Sequence, residues 1–397
     1  MQITLIFSND KKYDDISFLD LFHVQKVSAF HQSFPQYEKT PLVELKNLAQ
    51  KLHLKNFFVK DESYRFGLNA FKVLGGSFAI GKYIAQKLNL NIEDLSYEKL
   101  ISPELRQKIG DITFVTATDG NHGRGVAWTA NQLIQKSVVY MPKGSSPERL
   151  KNIQAENADA SITELNYDDA VRLANANAEK YGWVVIQDTS WPGYQDIPRW
   201  IIQGYSTMAY EAYSQITQRP THIFIQAGVG SLAASVTGFF ANIYKDDKPI
   251  ITVVEPDTAD CIFRTAQAND EQLHFVKGSM PTIMAGLACG EPCDIGWNIL
   301  KNHADFALTC ADNISAKGMR ILGAPLKGDR RVISGESGAV TSGLVAELMT
   351  NSRYEDIRRK LRLDENSVVL CFSTEGATDR KNYEDIVWNG KFSSLEN

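Results

Sequence analysis

The stretch Ile112-Thr113-Phe114-Val115-Thr116-Ala117-Thr118-Asp119-Gly120-Asn121-His122-Gly123-Arg124-Gly125 sets the architecture of this chain. Its first five residues are β-branched or aromatic, which suits a buried strand, and the Asp, Gly and Asn that follow are turn formers. A helical apolar pattern then runs over 126–133, and a second short apolar run occupies 137–141. Strand, glycine turn, helix and strand in that order make a βαβ unit, whose two strands lie parallel. Outward from this unit the alternation continues. Strands are predicted at 56–59, 161–165, 183–187, 222–226, 250–254 and 367–372, and helices at 146–156, 167–181, 205–216, 338–349 and 354–361. The chain therefore reads as an α/β protein with mostly parallel sheets and flanking helices.

With 397 residues, 43% of them apolar, the chain buries a large core and divides into two domains. The segment 77–203 holds four strand candidates, enough for a small domain inserted into a larger one built from 1–76 and 204–397. The polar stretch 89–108 reads as an insertion between a helix and the next strand. A net charge of −5 with no block of lysine or arginine excludes a nucleic-acid footprint and a membrane-surface patch. No run approaches the ~18 to 20 apolar residues of a membrane helix, and the apolar start from Ile3 to Phe7 lacks a basic leader and a cleavage site. A cytoplasmic protein acting on small molecules is expected. Cys261, Cys289, Cys293, Cys310 and Cys371 have no C-x-x-C spacing, which excludes a structural metal site of that kind. Cys261 could meet Cys289 or Cys293, but buried free thiols are the expectation for an acidic intracellular chain.

Two further stretches carry chemistry. In Asn69-Ala70-Phe71-Lys72-Val73-Leu74-Gly75-Gly76-Ser77, the lysine lies among apolar neighbours. A lysine amine condenses with an aldehyde cofactor only while partly unprotonated, and a desolvated setting favours that state. Alone, such a lysine reads far more often as a snorkelling surface residue. Gln226-Ala227-Gly228-Val229-Gly230-Ser231-Leu232-Ala233 again follows a strand and precedes a helix. Its amides and the helix dipole could hold a phosphate dianion without a basic side chain. A dinucleotide site would want a third glycine, where Ala233 stands, and an acidic residue about 20 positions on, where Glu255 lies near. A condensing lysine together with a phosphate cradle points to pyridoxal phosphate.

Taken in chain order, Lys72, the G-N-H loop, the glycine-rich turn and Ser373-Thr374-Glu375-Gly376 resemble the fold-type II pyridoxal phosphate enzymes. These include serine and threonine dehydratases, serine racemase, cysteine synthase and tryptophan synthase β. The resemblance tightens on the diaminopropionate ammonia-lyases. It rests on Y-E-K-T-P-L from Tyr37, K-D-E-S-Y-R from Lys60, Q-D-T-S-W-P-G-Y from Gln187, M-A-G-L-A-C-G-E-P from Met284 and S-G-E-S-G-A from Ser334, in the family's order over residues 20–390. The resemblance implies two open, twisted, mostly parallel sheets, a homodimer, and α,β-elimination of 2,3-diaminopropionate (L and D) to pyruvate and two ammonia. Lys72 matches the Schiff-base lysine and Asn121 the asparagine facing the cofactor's phenolic oxygen. Gly228, Val229, Gly230, Ser231 and Leu232 match the phosphate loop. Thr374, or Ser373 beside it, matches the hydroxyl facing the pyridine nitrogen, where a neutral partner leaves that nitrogen unprotonated. The A-G-V-G-S loop departs from the four glycines of the dehydratases and suits the lyase branch.

Asp119 separates the alternatives. It stands where the resembling serine racemase has a serine facing the substrate Cα opposite the lysine. A carboxylate there can take a proton from that face and attract a side-chain ammonium, by up to about 4 kcal/mol at ~4 Å and an effective dielectric of ~20. Its plain alternative is a helix cap. Asp188 is a second candidate for binding the β-ammonium or orienting Asp119, and it reads equally as the cap of the turn at Asp188-Thr189-Ser190. His122 is expected to pack within its loop, and Asp168 and Asp169 to complement a helix N-terminus. Two other functions stay open at this point. One is a serine or threonine dehydratase, or a racemase, of the same fold. The other is a regulatory protein that binds pyridoxal phosphate without turnover.

Overall fold

The computed structural model of the chain describes residues 1–6, 15–118 and 120–393. Among these, eleven strands form two sheets. In chain order they are β1 (Gln2–Leu5), β2 (Leu42–Glu44), β3 (Asn56–Asp61), β4 (Thr113–Ala117), β5 (Lys136–Met141), β6 (Asp159–Ile162), β7 (Val184–Val185), β8 (His222–Gln226), β9 (Ile250–Pro256), β10 (Phe306–Cys310) and β11 (Val368–Ser373). The seven-stranded sheet runs β1-β10-β9-β8-β11-β3-β2, and the four-stranded sheet β6-β5-β4-β7. All neighbours are parallel except the two edge strands β1 and β2, which pair antiparallel to β10 and β3. Strands β8 and β11 are buried along their whole length. That is why both read as unbroken apolar runs and not as alternating patterns.

Three strands lie outside the predicted set: β1, β2 and β10. β1 and β2 are edges of four and three residues, too short for a pattern to stand out. The third sheet-four strand sits at Asp159–Ile162 and not at 161–165, because register with Val138 to Met141 of β5 decides where it pairs. The helix expected from residue 205 begins nine residues earlier and spans Asp196–Gln215, with Pro198 in its first turn, where a missing N–H costs nothing. The stretch 89–108 is a connection built of short helices, Tyr97–Leu100 and Pro103–Ile109, each capped by a serine hydroxyl.

The helix Val73–Leu88 packs at close range against two others, Asn121–Gln132 and Asp196–Gln215. Glycines permit the approach. A Cβ on Gly125 would stand 2.8 Å from Val73 Cα, and one on Gly204 would stand 2.4 Å from the Leu74 carbonyl oxygen. Gly125 thus backs directly onto the peptide that follows Lys72. Gly125→Ala should cost about 1–3 kcal/mol by forcing backbone apart, read as a lower denaturant midpoint at unchanged m-value. An unchanged midpoint would show that the helices separate freely here.

Candidate active site

The C-terminal ends of β4, β8 and β11 open on one cleft, the place where parallel α/β sheets bind ligands. Its volume is about 760 Å³ counted to the open mouth, and Lys72, Asn121, Asp188, Gly228, Val229, Gly230, Ser231, Leu232 and Thr374 all line it. Asp119 lies outside the described residues. Its chain neighbours Thr118 and Asn121 line the same cleft.

Lys72 is the residue immediately before the helix Val73–Leu88. The segment leading to it is strapped to the end of β11. Ala70 bridges Glu375, the Phe71 N–H donates to the Thr374 carbonyl at 3.0 Å, and the Gly376 N–H donates to the Asn69 carbonyl at 2.9 Å. Phe71 is buried against the Tyr205 ring, 4.7 Å between centroids. The apolar wall expected around the lysine is therefore partly Phe71 and partly Tyr205, a residue 133 positions away that no local pattern indicates.

The Lys72 ammonium donates to Asp188 Oδ2 at 2.5 Å. Asp188 is 3% exposed. Burial works against its charge, but the Lys72 ammonium and the nearby His122 outweigh that and hold the carboxyl below its ordinary value. Burial also pushes the Tyr205 hydroxyl up, and its charged neighbours are Lys72 and Asp188. The backbone of Asp188 is itself anchored, because Ser231 Oγ donates to its carbonyl at 2.7 Å. One end of the glycine-rich turn and the carboxylate facing Lys72 are thus built into one unit. His122 is buried, and its Nε2 lies 2.8 Å from the Ile186 carbonyl oxygen, so it bonds across to the end of β7 and not within its own loop.

The helix Ser231–Tyr244 rises from the glycine-rich turn, with Gly230 at φ 96° where an L side chain would be strained. A Cβ on Gly228 would stand 3.1 Å from Cys289 Sγ and 3.2 Å from the Gly286 carbonyl oxygen. The first-turn N–H groups of this helix have no intrahelical acceptor and face the positive end of the dipole. Among the described lining residues, Lys72 is the one lysine or arginine. A phosphate here would be held by backbone amides and the helix dipole with no basic side chain, as the sequence expects, while the Ser231 hydroxyl is engaged by the Asp188 carbonyl.

At the other end, Thr374 lines the cleft and its Oγ1 accepts from Gln226 Nε2 at 3.0 Å, leaving its own O–H to donate. Ser373 turns away, its hydroxyl bonded to Ser334 Oγ at 2.8 Å. Of the two hydroxyls, that of Thr374 is the one on the cleft lining. Two buried polar atoms of the lining, Gln226 Oε1 and Ser337 Oγ, have no partner among the described residues. An amide cradle, a lysine, a hydroxyl with a free proton and two unpaired buried polar atoms fit a phosphorylated, heteroaromatic aldehyde.

Gln226, Ser337, Glu375, Tyr167 and Cys289 also line the cleft, although the motif reading assigns them no role. Glu375 adjoins Thr374 and Gln226 lies two positions before Gly228, and this nearness to expected site residues is the one signal that could have found them. Tyr167 accepts from Gln187 Nε2 at 2.7 Å and begins the helix Tyr167–Tyr181, whose first turn holds Asp168 and Asp169 as expected. Glu255 does not serve a dinucleotide. It is wholly buried and accepts from the N–H groups of Ile262 and Phe263 at 2.9 and 2.7 Å, capping the helix Cys261–Ala268. All five cysteines are free, and Cys289 is half-buried while the rest are buried.

Burial pushes Glu255 up from 4.5 to about 8. The protonated carboxyl is thus favoured in the folded chain. The contribution of Glu255 to stability is then fully present below pH 4.5 and is lost as pH rises from 4.5 through about 8. Glu255→Gln should flatten that part of the stability curve, and a slope unchanged by the substitution would place its origin elsewhere.

Comparison with known proteins agrees with this geometry. The family model described as pyridoxal-phosphate dependent enzyme matches residues 34–373. The chain is 53% identical over 389 residues to the diaminopropionate ammonia-lyase of Salmonella typhimurium, covering 96% of each protein. The crystal structure of holo diaminopropionate ammonia lyase from Escherichia coli superimposes with a TM-score of 0.91 at 44% identity, covering 99% of this chain and 98% of that one. The same enzyme in complex with an aminoacrylate-PLP azomethine reaction intermediate gives 0.89 at 43% identity, over 99% and 98% of the two chains. On this agreement of two sheets, one cleft and near-complete sequence match, the chain belongs to the pyridoxal-phosphate dependent enzymes and, within them, to the diaminopropionate ammonia-lyase family.

Proposed function

We propose that the chain eliminates the β-amino group of 2,3-diaminopropionate, in both its L and D forms, giving pyruvate and two ammonia, with pyridoxal 5'-phosphate as cofactor. The observation that carries this reading is the buried Lys72–Asp188 pair at 2.5 Å in a cleft that also holds the glycine-rich turn, Asn121 and Thr374. Bound there, the cofactor supplies the electron sink for breaking the Cα–H and Cβ–N bonds. The protein does the rest. Lys72 would hold the cofactor through its amine and, once free, would accept the Cα proton of the L isomer. Asp119 accepts the Cα proton of the D isomer from the other face. Asp188 binds the β-ammonium once Lys72 is discharged, since a buried carboxylate needs a cationic partner. The Cβ–N bond breaks with its electron pair going to nitrogen, so an ammonium leaves as neutral ammonia. The aminoacrylate product hydrolyses in water to pyruvate and the second ammonia.

Asn121 would hold the phenolic oxygen of the cofactor, the Gly228 to Leu232 turn its phosphate, and Thr374 its pyridine nitrogen, all of them lining the cleft. Residues 77–203, which contain every strand of the four-stranded sheet, act as a small mobile domain over a large domain of 1–76 and 204–397. The working form is a homodimer in the cytoplasm. No helix among the described residues is long and apolar enough to cross a membrane. Light scattering on the purified holoenzyme checks the dimer.

The function is tested by loading the protein with pyridoxal phosphate and measuring pyruvate and ammonia from L- and D-diaminopropionate, with L-serine and L-threonine as controls. Two ammonia per pyruvate, at rates well above serine, is the expected result. Faster turnover of serine or threonine would move the protein to the dehydratases, and binding without turnover to the regulatory class.

A further inference from the structure

Glu375 is buried at the edge of the cleft, 2% exposed, and its carboxylate joins two elements that are far apart in sequence. Oε2 accepts from Asn121 Nδ2 at 2.5 Å, and Oε1 accepts from the Ser337 N–H at 3.1 Å in the first turn of the helix Glu336–Thr350. Its backbone is fixed as well, bridged to Ala70 and accepting from the Gly335 N–H at 2.9 Å. Asn121 opens the helix that follows β4 of the four-stranded sheet, whereas Glu375 follows β11 of the seven-stranded sheet.

An asparagine amide has two ends of nearly equal shape and opposite polarity, so packing alone does not choose which one faces a ligand. An ionised carboxylate does choose, because it only accepts. With Nδ2 bound to Glu375, a flipped amide would set Oδ1 against Oε2, two acceptors in contact. We propose that Glu375 is a positioning residue that locks the Asn121 amide so that a second Nδ2–H is offered to the phenolic oxygen of the bound cofactor. The inference rests on the reading of the cleft as a pyridoxal phosphate site. Burial and the nearby Glu375 carboxylate push Glu336 up to about 7, against the pull of Arg149.

The test is a double-mutant cycle on the full chain: Asn121→Ala, Glu375→Ala and the double variant, each titrated with pyridoxal phosphate. Two quantities are read, the cofactor dissociation constant and the absorption maximum of the bound cofactor. Removing a charge-assisted bond predicts weaker cofactor binding by about 10-fold in each single variant and a band shift of the same sign. Since Glu375 acts through Asn121, the double variant should be no weaker than Asn121→Ala alone, within about twofold. Losses that multiply, or a Glu375→Ala band identical to wild type, would overturn the proposal and leave Glu375 as a cap for the helix Glu336–Thr350. Should Glu375→Ala fail to fold, Glu375→Gln keeps the volume but offers both a donor and an acceptor. It should give an intermediate band shift with an unchanged melting temperature, and a wild-type band there has the same overturning force. Failure of the wild type to bind pyridoxal phosphate would remove the cleft reading, and the inference with it.

Discussion

Lys72→Ala should lower elimination from both isomers by on the order of 10³- to 10⁴-fold, because one substitution removes the covalent anchor and the base for the L isomer. Borohydride reduction of the wild-type holoenzyme should attach the cofactor irreversibly to the peptide containing Lys72. The variant should take up no label and lack the absorbance of the lysine-bound cofactor. The substitution also takes away the ammonium at 2.5 Å from a carboxylate that is 3% exposed. Burial then acts on Asp188 against only the remaining pull of His122, and its carboxyl rises from the depressed position the Lys72 ammonium gave it. Breaking a fully buried pair costs about 3–5 kcal/mol, and the 18% exposure of the Lys72 side chain places this case at or below the low end. The cofactor-free variant should therefore melt below the wild type at pH 7, with the gap closing as pH falls and Asp188 protonates. Label at another lysine would move the anchor. An unchanged melting point would mean that the pair adds nothing to stability.

Asp119→Asn should divide the isomers. The D isomer presents its Cα proton to the face opposite Lys72, so loss of the carboxylate removes its base and costs on the order of 10²-fold or more in kcat/KM. The L isomer keeps Lys72 as base and should lose less than about 10-fold. The residual loss reflects weaker attraction of the β-ammonium, since Asp188 remains. Measuring kcat/KM for the two isomers over a pH range gives the ratio directly. Equal losses would end the assignment of one base to each face and turn Asp119 into a general electrostatic partner of the diamino acid.

The parts of the site that lie on a single strand, turn and helix are legible in the chain. Gly228 to Leu232 after β8 and Asn121 after β4 announce themselves because the β-branched run, the glycine turn and the apolar helix adjoin one another. The buried central strands are visible for the same reason, while the short edges β1 and β2 are not, because few residues at an edge need to be apolar. Asp188 shows why sequence stops short. As a residue it reads equally as a turn cap and as a partner for a substrate ammonium, and its contact with Lys72 joins positions 116 apart. The preference for Thr374 over Ser373 depends on which hydroxyl the end of β11 turns toward Gln226. The bond between Asn121 and Glu375 spans 254 residues and two sheets. Local order along the chain carries the backbone cradle, since amides and glycines act within one turn. The carboxylates that face the lysine and the asparagine are set by strand order and helix packing, which bring together side chains that no period in the sequence relates.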